Sequence, residues 1–206
     1  MAKRLSRRRF LGQAGAVLSV AAGATNACAG AQREEPLSDS VRTALSAAVA
    51  DEGPPQPVFE HAKEQRRYEL WLASAAERIR RVKTSGQARQ EFLQTLWYES
   101  QRAALEPALV LGLIEVESGF RKYAISAAGA RGYMQVMPFW MRLIGDGDES
   151  RLFHLQTNLR FGCTILRHYL QMERGDLFMA LGRYNGSRGQ SEYPRAVLNA
   201  QRRWQV

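Results

Sequence analysis

The run LVLGLIEVESGF, Leu109 to Phe120, decides how the chain is read. An almost unbroken apolar stretch closes on two glutamates, where an ionised acid is hardest to keep. Pro107 is well placed in the first turn of a helix running to Ser118. On that helix Glu117 stands one turn beyond Leu113 and Ile114 and two beyond Val110, so it continues the apolar stripe. Glu115 falls roughly opposite, in line with Leu111 and Ala108, and suits a surface or supporting role. Burial and the helix C-terminal dipole both disfavour negative charge, so Glu117 is expected to hold its proton. Such an acid can protonate a leaving oxygen, as cleavage of a glycosidic bond requires. Pairing with a buried arginine, or an exposed helix end, would produce the same pattern and stays open at this point.

Outward from this stretch the periodicity is helical. Downstream lie Gly119, a small-residue segment AISAAGARG and a short apolar piece YMQVMPFWMRLIG. Thr157 can cap a helix carrying Leu159, Phe161, Ile165, Leu166, Tyr169 and Leu170 that ends at Gly175. Asp176 can begin a helix reaching Tyr184, and Glu192 to Trp204 reads as the last. Upstream, Phe92, Leu93, Leu96, Trp97 and Ala104 mark one helix. Tyr68, Trp71, Leu72, Ala75, Ile79 and Val82 mark another between Phe59 and Val82, closed by Thr84-Ser85-Gly86. Asp39-Ser40 can cap a short helix through Ala50, broken by Asp51-Glu52-Gly53-Pro54-Pro55-Gln56-Pro57. There is no sustained two-residue alternation, internal repeat or Gly-rich phosphate loop, so the class is all-α.

The 206 residues suffice for one ordinary domain with a leader and an extension. Residues 1–29 have a basic start, a Gly/Ala-rich apolar middle and small residues at the end, the pattern of an export signal. Within them Ser6-Arg7-Arg8-Arg9-Phe10-Leu11 resembles the twin-arginine signal, which implies a periplasmic or cell-envelope destination. Removing that leader takes away five cations and no acid, lowering the net charge from +9 to +4. The remaining basic run, Arg78 to Lys83, suits an anionic wall or leaflet surface or a solvated helix face, and no nucleic-acid partner is expected. The cysteines, Cys28 and Cys163, make no disulfide framework once the leader is gone. Cys28 follows Ala27 as a lipid-anchored cysteine would, but Thr25 and Asn26 fit a lipoprotein cleavage box poorly. Cys163 sits on an apolar helix face and reads as core.

Beyond Glu117-Ser118-Gly119-Phe120 the chain has Ser126, Gly129-Ala130, Gly132-Tyr133-Met134-Gln135 and Met137-Pro138. Further on come Asn158-Leu159, Gly162, Tyr169-Leu170, Ala180-Leu181 and Tyr184-Asn185-Gly186. These separated blocks, from about Phe92 to Trp204, resemble the soluble-type lytic transglycosylases, the SLT domain of the lysozyme-like superfamily. The resemblance implies a lysozyme-like helical catalytic domain over residues 87–206. It would be preceded by a helical extension (58–86) and a flexible linker with a short helix (30–57). Two departures are notable: Tyr133 replaces the usual Leu, and Arg183 stands where a small residue commonly precedes Tyr-Asn.

The resemblance further implies non-hydrolytic cleavage of the bond between N-acetylmuramic acid and N-acetylglucosamine in peptidoglycan, giving 1,6-anhydro-muramyl ends. Glu117 would act first as acid and then as base. Ser126 would bond the acetamido group or Glu117, Gln135 would bind the sugar, Met137 would line the groove, and Tyr184 would steady Glu117. Asn185 belongs to the same block, although Asn-Gly is also a good turn pair. Ordinary glycosidases need a second carboxylate. Between Glu117 and Asp146 there is no Asp or Glu, though Asp146, Asp148 or Glu149 could fold back to the site. No metal or other cofactor is expected, since His61, His154 and His168 share no ligand spacing with one another or with Cys163. Competing readings are a lysozyme-like hydrolase, an inactive wall-binding scaffold and, more remotely, a periplasmic redox protein. The expected partner is the peptidoglycan strand, with a cell-envelope assembly partner if the enzyme opens gaps for a larger machine.

Overall fold

The computed structural model describes residues 32–50 and 57–205. The leader, Cys28 and most of the Pro-rich break therefore lie outside the described residues. Within them the chain forms α1 (Asp39–Ala50), α2 (Ala62–Arg78), α3 (Gly86–Arg102), α4 (Pro107–Ser118), α5 (Phe139–Ile144), α6 (Leu155–Met172), α7 (Leu177–Tyr184) and α8 (Glu192–Trp204). A 3-10 turn, Glu149–Phe153, precedes α6. The β-type pairing among these residues is two isolated bridges, Ile125 with Arg131 and Arg131 with Val136. The class is all-α, as the periodicity indicates.

α4 is apolar on almost every side and is buried accordingly, with Leu109, Val110, Leu111, Leu113 and Ile114 in the core. It packs mainly along α8 and also against α3. Gly112 permits the close approach: a β-carbon there would lie 2.5 Å from the backbone nitrogen of Gln201. Residues from both ends of α8 reach the end of α4: Tyr193 bonds Glu117, and Arg203 and Trp204 bond Glu115. A buried ion pair joins α3 to α6, with Arg160 Nε and Nη2 donating to Glu99 Oε1 at 3.1 and 2.9 Å. Cys163, one turn on, is a buried free thiol whose pKa is pushed up by desolvation, in keeping with a core role.

The extension docks on this body. Tyr68 and Trp71 of α2 meet Trp97 of α3 with ring centroids 5.2 and 4.9 Å apart. α2 stops at Arg78, a turn short of Val82, because fully buried Ile79 leaves the helical conformation and the chain swings Lys83 inward. Lys83 Nζ then donates to the Tyr133 hydroxyl at 2.7 Å and lies over the Phe92 and Tyr133 rings. α6 begins at Leu155, two residues before Thr157, with His154 at the N-cap position and no side-chain cap. α7 begins where expected, the Asp176 carboxylate accepting the Met179 N–H at 3.0 Å. Residues 32–50, expected as part of a flexible linker, lie against the domain: α1 packs on α5 and α6 and buries Leu45 and Val49. No helix among the described residues is long and apolar enough to cross a membrane.

Candidate active site

Glu117 ends α4 on its inward face and is 4% exposed. Its Oε1 accepts a short hydrogen bond from the Tyr193 hydroxyl of α8, while Oε2 is buried without a partner. Desolvation pushes the carboxyl pKa up to about 8, against a smaller lowering by the Tyr193 bond. Among the described residues no arginine pairs with it and the helix end is buried, so desolvation rather than an ion pair dominates its proton affinity. Glu115 has the supporting role: it accepts from Arg203 Nη2 and Trp204 Nε1, each at 2.6 Å, tying the end of α8 to α4.

Opposite α4, residues 124–137 form the loop held by the two bridges, and α6 braces it from behind. Asn158 Nδ2 donates to the Arg131 and Leu152 carbonyls at 2.9 and 2.8 Å, and its Oδ1 accepts the Met134 N–H at 2.8 Å. Gly132 must be glycine: its φ is +77°, and a β-carbon would lie 2.4 Å from Asn158 Nδ2. Ser118 Oγ adds a bond to the Tyr133 carbonyl at 2.7 Å, joining the loop to the residue beside Glu117.

Within that loop Ser126 Oγ accepts the Ala130 N–H at 3.1 Å, which leaves its own proton to donate. The family resemblance implies that Gln135 binds the sugar. The amide instead donates to the Ala124 and Gly132 carbonyls at 3.1 and 2.9 Å. Those bonds offset the strain of a non-glycine residue at φ +48°. Met137 is half-buried. Tyr184 is fully buried, and its hydroxyl donates to the Met134 carbonyl at 2.8 Å. It braces the loop, so the part of steadying Glu117 through a hydrogen bond falls to Tyr193. Asn185 caps α7 and donates to Ser187 Oγ at 3.0 Å, holding the turn into Gly186, while its Oδ1 is buried and unpartnered.

The arrangement is thus a buried, protonated carboxyl facing a loop braced by a helix, with a tyrosine clamp on one of its oxygens. The family model described as the transglycosylase SLT domain matches residues 95–204. The chain belongs to the SLT family. Relatives include membrane-bound lytic murein transglycosylase C of Actinobacillus pleuropneumoniae serotype 5b, 48% identical over 85 residues, which are 37% of this chain and 23% of that protein. The protein of the same name from Mannheimia succiniciproducens is 41% identical over 85 residues, 37% of this chain and 24% of that one. A transglycosylase of Enterobacteria phage PRD1 is 31% identical over 102 residues, 47% of this chain and 37% of its own. The chain therefore spans under a quarter of the length of the two membrane-bound relatives.

In this SLT domain the later carboxylates are committed elsewhere. Asp146 pairs with Arg151, Asp148 caps the 3-10 turn through Ser150, and Glu149 bridges Arg131 and Arg142 at 3.1 and 2.7 Å. Asp146 is held below the usual carboxylate range chiefly by Arg151. Among the described residues no cluster of three or more His, Cys, Asp or Glu could hold a metal. Tyr193 escaped the sequence reading because its nearness to Glu117 depends on the α4–α8 register. A tyrosine at the second position of the last helix was the available signal.

Proposed function

We propose that the chain is a peptidoglycan lytic transglycosylase that cleaves the β-1,4 bond from N-acetylmuramic acid to N-acetylglucosamine. Its products would carry 1,6-anhydro-muramyl ends. The observation that carries this reading is the buried Glu117 carboxyl, its pKa pushed up to about 8, while Asp146, Asp148 and Glu149 are engaged in ion pairs and caps. With a pKa of about 8, the protonated form predominates at pH 7.

Tyr193 occupies Oε1, so Oε2 is the oxygen that delivers the proton. Glu117 protonates the glycosidic oxygen as the bond to the muramyl anomeric carbon breaks, and the sugar's own acetamido oxygen closes onto that carbon. The resulting Glu117 carboxylate then takes the proton of the 6-hydroxyl. That oxygen attacks the anomeric carbon, displaces the acetamido oxygen and restores the acid. The second nucleophile is tethered to the first, which replaces capture of a free water by an intramolecular step. Ser126 and the backbone of Gln135 and Met137 would orient the glycan, Tyr184 and Asn158 holding that loop in place. A cell-envelope location fits the substrate and the membrane-bound relatives, and the twin-arginine-like leader would be the export route.

Digestion of purified murein with mass analysis of the released muropeptides tests the reading. Anhydro ends are expected. Reducing ends would make the enzyme a lysozyme-like hydrolase, and no release would leave a wall-binding scaffold. Glu117→Gln should lose about 10²–10⁴-fold in rate, and full activity in that variant would place the acid elsewhere.

A further inference from the structure

A stretch of peptide occupies the backbone groups of Gln135 and Met137 to which the proposed function assigns the glycan. Residues 32–38 lead into α1 without regular secondary structure, and most of them are exposed. Glu35 and Leu37 are partly buried, and Gln32 is only 4% exposed. Its Nε2 donates to the Gln135 carbonyl at 3.3 Å, and the Met137 N–H donates to its Oε1 at 3.2 Å. The same side chain is within hydrogen-bonding reach of the Tyr184 hydroxyl. Three residues on, Glu35 accepts two bonds from Arg183 Nη1, at 2.8 and 3.0 Å. Arg183 is itself steadied by Glu173 at 2.8 Å.

A backbone carbonyl and an N–H two residues apart, both aimed at one side chain, make a reader of amides. The carbonyl takes the amide N–H and the N–H takes the amide oxygen. Gln32 offers a primary amide. The 2-acetamido groups on both sugars of the proposed substrate offer the same donor and acceptor. Glycan and Gln32 cannot use the pair together. The anchor is also suited to release, since one buried side chain, one partly exposed ion pair and the partly buried Leu37 hold the segment, whose remaining residues are exposed.

We propose that residues 32–37 form a pseudosubstrate strap: Gln32 fills the position where the Gln135 carbonyl and Met137 N–H would read an N-acetyl group, the Glu35–Arg183 pair fastens it, and a glycan strand must displace it. The proposal rests on the reading of the site given under Proposed function. It also gives Arg183 a role. The arginine that departs from the family's small residue is the strap's fastening point.

The test compares the full chain with its Gln32→Ala and Glu35→Gln variants, none of which alters the acid or its clamp. Two quantities are measured: steady-state release of muropeptides from purified murein, and calorimetric binding of the N-acetylglucosamine trimer. Releasing the strap should lower KM and the trimer Kd by roughly three- to thirty-fold, the scale of one or two net hydrogen bonds, while kcat is unchanged. Glu35→Gln keeps its shape and serves as the second variant should Gln32→Ala fail to fold. Unchanged KM and Kd in both variants, or kcat falling as KM rises, would overturn the strap, the latter making the segment part of the groove. Trimer binding that tightens in the variants without any release from murein would keep the strap and reject the lyase. No trimer binding by any of the three would remove the N-acetyl-reading position and the strap with it.

Discussion

Glu117 is held by two opposing effects of unequal size. Desolvation raises its pKa strongly, and the Tyr193 hydroxyl, by bonding the ionised form, lowers it less. The expected profile of kcat/KM is therefore flat on its acidic side as far as this group is concerned, then falls about tenfold per pH unit above about 8. Tyr193→Phe removes the bond that favours the ionised carboxylate, so the falling limb should move to higher pH while the rate drops roughly tenfold or more. A limb that stays put would mean that Tyr193 does not set the proton affinity of the acid. The position of Glu117 was legible because a helical wheel needs only one element. Its clamp was not, because whether Tyr184 or Tyr193 reaches it depends on where the helices cross.

At the scale of elements, the loop of residues 124–137 is as stable as its brace. Asn158→Ala would strip three partners from buried backbone groups of Arg131, Met134 and Leu152. A loss of about 3 kcal/mol is expected, or roughly 6–12 °C in Tm by calorimetry. A change under a degree would show that the loop holds itself. Helices α4, α7 and α8 were readable to the residue, because proline, a capping aspartate and the apolar period mark their ends. α2 was not: a buried Ile79 and the pull of Lys83 toward Tyr133 end it early, and both are tertiary effects. The loop between α4 and α5 has small residues and no period, so nothing local announces its two bridges or its dependence on Asn158.

For the whole molecule the raised acid is a stability cost. Its carboxyl keeps its proton in the native state up to about 8 but releases it near 4.5 when unfolded. Between those values the native state binds more protons, so stability from this group falls as pH rises. Glu117→Gln should therefore have a Tm close to that of the parent near pH 4 and exceed it by several degrees at pH 8. An offset independent of pH would contradict the linkage. The two departures from the family pattern also make sense only at this scale. Tyr133 meets Lys83 and Arg183 meets Glu35, partners that precede the family's matched region. Sequence alone showed both substitutions but gave no partner, because single contacts such as those of Gln32 and Glu35 leave no periodic trace.

Difference infrared spectroscopy of the parent protein against Glu117→Gln, followed from pH 4 to 10, observes the protonated carboxyl directly. The account predicts a carboxylic-acid carbonyl band in the parent that is present at pH 7 and disappears with a midpoint near 8. A band that vanishes with a midpoint near 4.5, the ordinary glutamate value, would contradict it.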